Sequence, residues 1–279
     1  MTIIVESGAT KSDWRLVGDD GRQISRHLLP GMNVSSMPID VVKNVLSTGI
    51  SQVGPLDGGV SFYMYTAGVV TDAIRNELAS HIKSLSAFED LDIQTDLVGA
   101  ARSVLGKEPG IAAIMGTGSN TCFYDGIRVS QKVMSGGYVI GDDGSGAALG
   151  RLFLCDFIKN LIPEDVAADF AARFDATYAG IVENVYRSAS PSGYLGSLAP
   201  FIISHYDSPV IKAMVDCNFQ RFIDRSLKHY DTDRYPVGIV GGFGYACKDI
   251  FAPMCEAAGL SVKSFLKEPI DGLIEYHRK

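Results

Sequence analysis

An acidic residue, a run of small residues and a lysine follow the first apolar segment of the chain. Ile3–Val5 leads directly into Glu6, and Ser7–Thr10 precedes Lys11. Small side chains let an anion approach the backbone, and Lys11 supplies a positive charge. An acid at a strand end suits Mg²⁺, which keeps much of its water and takes one or two carboxylates. The stretch is typical of a phosphate and magnesium site; an ordinary β-turn with a solvated lysine is the alternative.

A second glycine turn repeats this arrangement further along the chain. The apolar run Ile111–Met115 ends in Gly116–Ser119, and Gly8 and Gly116 are 108 residues apart. Two such turns could hold a polyphosphate, although the Walker pattern GxxxxGK[ST] does not occur. A repeat of this length indicates a duplicated domain rather than a solenoid.

Asp96 stands where an expected strand, Leu91–Thr95, gives way to an expected helix. A carboxylate at that point could accept a proton from a substrate hydroxyl. Aspartate is also a favoured helix N-cap, so capping is the alternative, and the two roles are compatible.

The segment Ser135–Gly146 is rich in glycine and aspartate. Its glycines have the wrong spacing for a dinucleotide fingerprint, and no strand leads directly into them, so we reject that interpretation. Asp142 or Asp143 could hydrogen-bond a polyol. Capping of the helix that begins near residue 145 is the alternative.

A predicted buried strand, Pro236–Val240, ends in Gly241-Gly242-Phe243. A glycine turn can let a flat ring lie against the backbone. A tight strand-to-helix connection is the alternative.

Composition excludes several classes of protein. The 279 residues carry a net charge of -7, which argues against a general nucleic-acid binder. No apolar stretch approaches the roughly 18 residues that span a bilayer. The five cysteines are widely spaced without a CxxC pair, which indicates neither a disulfide framework nor a zinc site. We therefore expect a reduced, cytoplasmic protein without nucleic-acid or membrane partners.

The predicted elements follow the order β-β-β-α-β-α-β-α and then begin again at Ile111. Residues 143–230 are mostly helical in pattern, and residues 270–276 predict a closing helix. We expect one domain over 1–100 with the closing helix at about 268–279, and a second over 101–267.

Four stretches together, IVESGATKSDW, IMGTGSN, GYVIGDDGSG and IVGGF, resemble the motifs of one family in the same order. This is the BadF-type ATPase and N-acetylglucosamine kinase family of the sugar-kinase, Hsp70 and actin superfamily, and the resemblance covers essentially the full chain. It implies an α/β fold of two duplicated ribonuclease H-like (actin-like ATPase) domains. Each domain would be a mixed five-stranded sheet flanked by helices, with an interdomain cleft.

The resemblance also implies roles for individual residues. The catalytic acid falls on Asp96, which would orient a sugar hydroxyl and take its proton, and Glu6 falls at the Mg²⁺ position. The ATP-binding positions fall on Gly8, Thr10, Lys11, Thr117 and Gly118 for the phosphates and on Gly241, Gly242 and Phe243 for the adenosine. The sugar-binding positions, besides Asp96, fall on Asn33, Ser119, Asn120, Gly137 and Asp142.

The implied activity is ATP-dependent phosphorylation of a hydroxyl group on a small N-acetylated amino sugar. Gly136 stands where kinases of the family place a tryptophan, so N-acetylglucosamine and the bulkier N-acetylmuramic acid both stay open. One alternative is an ATPase that activates a radical dehydratase or reductase, whose cysteine-rich segment this sequence lacks. Another is a non-catalytic ATPase like actin or Hsp70, for which the chain leaves little room. A homodimer is compatible with the family.

Overall fold

The computed structural model describes residues 1–8, 11–35, 37–54, 59–69 and 71–278. The chain separates into two compact units. The first comprises Met1–Glu108, Tyr124–Val129 and Glu268–Lys279, and the second comprises Pro109–Phe123 and Ser130–Lys267. The bounds of the two domains expected from the sequence, 1–100 with the closing helix and 101–267, remain a prediction.

The described residues of the first unit form five strands and four helices. They are β1 (Thr2–Ser7), β2 (Lys11–Val17), β3 (Gln23–Pro30), α1 (Ile39–Val53), β4 (Ser61–Thr66), α2 (Asp72–Leu85), β5 (Asp90–Thr95), α3 (Asp96–Leu105) and the closing helix α13 (Pro269–His277).

The first sheet has the strand order β3-β2-β1-β4-β5. β1 pairs antiparallel with β2 and parallel with β4, and β4 pairs parallel with β5. Ile3 and Val5 lie in the core on one face of β1, and Ile4 lies in the core on the other face. A strand that is buried on both faces is apolar at consecutive positions, which accounts for the run Ile3–Val5.

Aromatic and polar contacts anchor α13 on this sheet. The His277 ring stacks on Tyr63 with 3.7 Å between centroids, and its Nε2 lies 2.7 Å from the Tyr65 hydroxyl. Arg102 donates to the same hydroxyl at 2.9 Å and to Asp92 at 3.1 Å. Burial, with the Arg102 charge nearby, lowers the pKa of His277 from 6.5 to about 4. His277 is therefore neutral in the folded chain at neutral pH.

The second unit carries the second sheet and most of the helices. Its elements are β6 (Gly110–Met115), β7 (Ser119–Tyr124), β8 (Val129–Val133), α4 (Gly137–Ile140), α5 (Gly146–Phe157), α6 (Glu164–Arg173), α7 (Tyr178–Tyr186), α8 (Pro191–Ser197), α9 (Ala199–Ser204), α10 (Pro209–Arg225), the 3₁₀ turn Leu227–His229, β9 (Val237–Val240), α11 (Gly242–Ala246), α12 (Lys248–Ala257) and β10 (Val262–Leu266).

The second sheet repeats the topology of the first. Its order is β10-β9-β6-β7-β8, which matches the first sheet strand for strand when it is read from the β8 edge. β9 pairs parallel with both β6 and β10. The expected fold of two duplicated actin-like domains, each a mixed five-stranded sheet with flanking helices, is confirmed.

Across the described ranges, every helix is too short or too polar to cross a lipid bilayer.

Candidate active site

Acidic side chains of the first unit gather at the carboxyl ends of its parallel strands. Glu6, Tyr65 and Gln94 lie in register across β1, β4 and β5, and Asp96 follows the last residue of β5. Carboxyl ends of parallel strands meet at one edge of a sheet, where ligands of α/β proteins commonly bind. Glu6 and Asp96 are therefore brought to the same edge.

The electrostatics of Glu6 suit a bound cation. Burial raises the pKa of Glu6 from 4.5 to about 7; Lys11 lowers it, and the charge of Asp96 raises it further. The described residues contain no group of three or more His, Cys, Asp or Glu side chains that could hold a metal ion. Mg²⁺ needs only one or two carboxylates because it keeps several water ligands, so the oxygens of Glu6 fit it.

Lys11, a predicted phosphate contact, forms an ion pair with a residue that the sequence did not single out. Its Nζ donates to Glu268 Oε1 at 2.6 Å, immediately before α13, and Lys11 is 56% exposed. This hydrogen bond lowers the pKa of Glu268. The backbone amide of Gly8 donates to the carbonyl of Lys11 at 3.1 Å, which links the residue after β1 to the first residue of β2. Thr10 lies outside the described residues.

The capping alternative for Asp96 is wrong as it was stated. The N-cap of α3 is Thr95, whose hydroxyl accepts from the Val98 amide at 3.2 Å. Asp96 is the first residue of the helix, and its Oδ1 accepts from the Leu97 amide at 2.9 Å. Threonine is one of the favoured N-cap residues, so α3 does not depend on Asp96 for its cap.

Asn33 lies at the same edge of the first sheet. It forms an isolated parallel bridge with Ala67, directly after β4. The preceding residue is fixed on both sides, because the Met32 amide donates to Ser7 Oγ at 2.8 Å and its carbonyl accepts from Thr66 Oγ1 at 2.8 Å. The predicted sugar contact is therefore held close to the ends of β1 and β4.

In the second unit, two glycine turns lie side by side. β6 and β9 run parallel, with Ile114 opposite Val240, so the turn after β6 neighbours the turn after β9. Gly241 has φ +129°, and a side chain on it would collide with the Met115 carbonyl. Only glycine fits such a backbone at such close approach. Thr117 and Gly118 are thereby brought beside Gly241 and Gly242.

The turn Gly116–Gly118, here called the second turn, is supported by the start of α5. The Gly116 amide donates to the Gly118 carbonyl at 2.9 Å, and the Gly146 and Ala147 amides donate to the Gly116 and Thr117 carbonyls at 2.9 and 3.0 Å. The Thr117 side chain is exposed. Such a turn presents backbone and hydroxyl groups in a fixed arrangement, which suits binding of a phosphate.

The carboxylate of Asp142 lies against the second turn. A methyl group on Gly118 would be 2.7 Å from Asp142 Oδ2. Burial raises the pKa of Asp142, a hydrogen bond from the Ser119 backbone amide lowers it, and the charge of Asp143 raises it. Asp142 also has φ +52°, a left-handed conformation that few residues other than glycine adopt.

A cavity of about 120 Å³ opens beside Asp142 within the second unit. Three predicted sugar contacts, Ser119, Asn120 and Asp142, line it. Gly136 also lines it, and Gly137 is the first residue of α4. The remaining lining residues are Thr121, Val133, Met134, Ser135, Ile140, Gly141, Asp143, Phe222, Arg225 and Ser226. The cavity offers a carboxylate, an amide and hydroxyls, which is the chemistry of a polyol site.

Phe243, the last predicted adenosine contact, is half-buried at the second residue of α11. Its ring packs on Phe219 of α10, with 5.7 Å between centroids. The core of the second unit thus fixes the orientation of the Gly241–Phe243 turn.

Comparisons with known proteins identify the family. No protein-family model matches the chain, and a search of curated proteins finds no match. Among solved structures, a candidate N-acetylglucosamine kinase from Porphyromonas gingivalis is 32% identical with a TM-score of 0.94, over 100% of this chain and 99% of that chain.

Two further structures share the fold. A candidate N-acetylglucosamine kinase from Chromobacterium violaceum has a TM-score of 0.75 at 20% identity, over 99% of this chain and 98% of that one. A ROK family glucokinase from Streptomyces griseus, in complex with glucose and AMPPNP, has a TM-score of 0.59 at 16% identity, over 99% and 97%.

The duplicated α/β units therefore have the fold of the sugar-kinase, Hsp70 and actin superfamily. Within it, the chain belongs to the BadF-type family of N-acetylglucosamine kinase-like proteins.

Proposed function

We propose that this protein is an ATP-dependent kinase that phosphorylates a hydroxyl group of an N-acetylated amino sugar. The observation that carries the proposal is the cavity of the second unit, where Ser119, Asn120 and Asp142 lie beside a glycine turn suited to phosphate. Full-length similarity to a candidate N-acetylglucosamine kinase supports the same reaction class.

In the proposed reaction, the oxygen of a sugar hydroxyl forms a bond to the γ-phosphorus of ATP. The bond between that phosphorus and the β,γ-bridging oxygen breaks, and ADP leaves. Asp96 orients the hydroxyl and accepts its proton, which is the role of a general base. Because Thr95 caps α3, the N-cap of the helix stays in place while the Asp96 carboxylate serves the reaction.

The phosphates of ATP are assigned to five residues that offer backbone and side-chain groups. These are Gly8, Thr10, Lys11, Thr117 and Gly118. Lys11 is paired with Glu268 at 2.6 Å, so binding a phosphate there would exchange one anionic partner for another. When bound, Mg²⁺ would neutralise phosphate charge, and Glu6 would hold it either directly or through water.

The adenosine is assigned to Gly241, Gly242 and Phe243, and the sugar to Asn33, Asp96, Ser119, Asn120, Gly137 and Asp142. Asp142 would accept hydrogen bonds from sugar hydroxyls, since an ionised carboxylate is an acceptor only. A small-molecule sugar is thus the proposed partner, and a homodimer stays a prediction.

The test measures ADP release by the purified protein with ATP, Mg²⁺ and one of three sugars: N-acetylglucosamine, N-acetylmuramic acid or glucose. At least one N-acetylated sugar is expected to stimulate ADP release more than glucose does. An Asp96→Asn protein purified in parallel reports any contaminating kinase. If none of the three sugars stimulates ADP release, the proposed function is wrong.

A further inference from the structure

Helix α10 carries three polar residues in line along one side, of which Asn218 is buried and two arginines are partly exposed. Asn218, Arg221 and Arg225 are spaced i, i+3 and i+7, which places them on one side of a helix. We call these three residues the α10 stripe. The buried residues of the helix besides Asn218 are Ile211, Met214, Val215, Phe219, Phe222 and Ile223. The buried amide of Asn218 needs partners in such surroundings, and all three residues of the stripe find theirs in residues 143–145.

Asn218 holds the backbone of this loop with both ends of its amide. It is 1% exposed. Its Oδ1 accepts from the Gly144 amide at 3.0 Å, and its Nδ2 donates to the Ser145 carbonyl at 3.2 Å. Aspartate would keep the acceptor and lose the donor, and leucine would lose both. The amide of asparagine therefore matches this position in length and in hydrogen-bonding pattern.

The two arginines fix the neighbouring residue. Arg221 Nε lies 3.1 Å from Asp143 Oδ1, and Arg225 Nη1 lies 2.8 Å from Asp143 Oδ2. The Asp143 side chain is 10% exposed, so its carboxylate depends on these charges. Ser119 Oγ holds the Asp143 carbonyl at 2.8 Å. Asp143 is thus fixed from α10 and from β7.

Asp142 is the residue that gains from this support. Its left-handed backbone, φ +52°, costs free energy and persists only where neighbours determine it. The Asp142 amide donates to the Ser135 carbonyl at 3.0 Å, and its carbonyl accepts from the Ser145 amide at 3.1 Å. Asn218 binds the Gly144 amide and the Ser145 carbonyl, which lie on either side of that Ser145 amide.

We propose that Asn218, with the rest of the α10 stripe, is a positioning residue that sets the orientation of the Asp142 carboxylate for the sugar. The inference rests on the proposed function and adds a residue that does not itself touch substrate. It assigns different roles to the two residues. Asp142 binds the sugar, and Asn218 keeps Asp142 aimed at the cavity.

The test compares Asn218→Leu with Ile211→Ala, which removes fully buried apolar volume from the same helix. Loss of two hydrogen bonds is expected to raise the KM for the sugar by about 10-fold in Asn218→Leu, with the KM for ATP within about 2-fold. Ile211→Ala is expected to lower the melting temperature and leave the sugar KM unchanged. A sugar KM within about 2-fold of wild type in Asn218→Leu would overturn the proposal.

Arg221→Gln provides a variant that avoids the core. Arg221 is 41% exposed, so the protein should fold, and Asp143 keeps its ion pair with Arg225. The sugar KM is expected to rise about 3-fold, equivalent to roughly 0.7 kcal/mol. An unchanged sugar KM in both Arg221→Gln and Asn218→Asp would show that the stripe supports the fold alone.

Hydrogen exchange at the Gly144 amide separates this inference from the proposed function. If the wild-type protein phosphorylates no sugar, the proposed function fails, and exchange then decides whether Asn218 holds the loop. Exchange at Gly144 is expected to be about 10-fold faster in Asn218→Leu than in wild type or Ile211→Ala. Equal exchange in all three proteins would overturn the positioning role.

Discussion

The turns of the two units occupy equivalent places in the two sheets and differ in chemistry. The first, between β1 and β2, is flanked by Glu6 and Lys11, and Lys11 is paired with Glu268 at 2.6 Å. The second turn, Gly116–Gly118, is neutral and is supported by backbone amides of α5. The first turn thus has ionisable groups on both of its flanks, whereas the second turn itself consists of glycine and a hydroxyl residue, with the Asp142 carboxylate beside it.

This difference indicates that the two units contribute to different steps of the reaction. A partly buried carboxylate such as Glu6, with a pKa of about 7, changes its charge readily when a cation or proton arrives. A glycine turn fixed by hydrogen bonds binds by shape and costs no desolvation of charge. We expect variants of the first unit to change turnover and variants of the second to change affinity.

The largest expected effect is that of Asp96→Asn in the first unit. A general base contributes about 10²–10⁴-fold to turnover, so kcat should fall by at least about 100-fold while ATP binding persists. Steady-state kinetics and calorimetric titration with ATP measure the two quantities. Thr95→Ala is the matched control, and loss of the α3 cap should cost about 1 kcal/mol of stability with little change in kcat. Equal kcat losses in both variants would assign the effect to the fold of α3.

The next effect separates two adjacent glycines of the second unit. A side chain on Gly241 would collide with Met115, whereas one on Gly242 meets nothing within 4 Å. Gly241→Ala should lower the free energy of unfolding by roughly 2–4 kcal/mol, as measured by denaturant titration. Gly242→Ala should fold normally and raise the KM for ATP. A normal KM for ATP in Gly242→Ala would remove this residue from the adenosine site.

Asp142→Ala should act on the sugar and spare the nucleotide. Hydrogen bonds to a charged group contribute about 1.5–3 kcal/mol, so the sugar KM should rise about 10- to 150-fold, with the KM for ATP within about 3-fold. Asp207→Ala, an exposed acid of the same unit, controls for the change in net charge. Equal losses for sugar and ATP in Asp142→Ala would show that the residue supports the second turn rather than the sugar.

The smallest effect is a pH dependence confined to the first unit. The unfolded chain binds a proton at His277 near pH 6.5 and the folded chain only near pH 4. Unfolding therefore takes up a proton between these values, and stability falls as the pH falls from 6.5 to 4. Discounted for partial exposure, the loss should be about 2 kcal/mol.

Glu6 acts in the opposite direction. Its folded pKa of about 7 lies above its ordinary value of 4.5, so its contribution to stability rises as the pH falls through that range. The measurement is therefore the difference in unfolding free energy between wild type and His277→Gln. Both proteins contain Glu6, so its contribution drops out of this difference. A difference that stays constant from pH 6.5 to 4 would contradict the buried, neutral state of His277.

Much of the fold could be predicted from local pattern. The apolar run Ile3–Val5 falls on β1, which is buried on both faces. An Asp-Gly pair is typical of a hairpin turn, and Asp20-Gly21 lies between β2 and β3, where Gly21 has φ +80°. The pattern did not predict β10, Val262–Leu266. Its exposed and half-buried residues include Lys263 and Ser264, so it lacks the apolar run that marks β1, β6 and β9.

Residues of the site that act through tertiary contacts could not be predicted. Glu268 reaches Lys11 across 257 residues of sequence, and Asn218 reaches Gly144 across 74. Neither lies in a motif. The one available signal for Asn218 is a lone amide on the apolar face of a predicted helix, a pattern that also fits an exposed residue.

Phosphorus NMR of the reaction mixture tests the central claim most directly, because it reports where the γ-phosphoryl group of ATP goes. With wild-type protein, Mg²⁺ and N-acetylglucosamine or N-acetylmuramic acid, we predict a phosphomonoester signal that grows in step with ADP and does not form with Asp96→Asn. Conversion of ATP to ADP and inorganic phosphate alone, or no consumption of ATP with either sugar, would contradict the account.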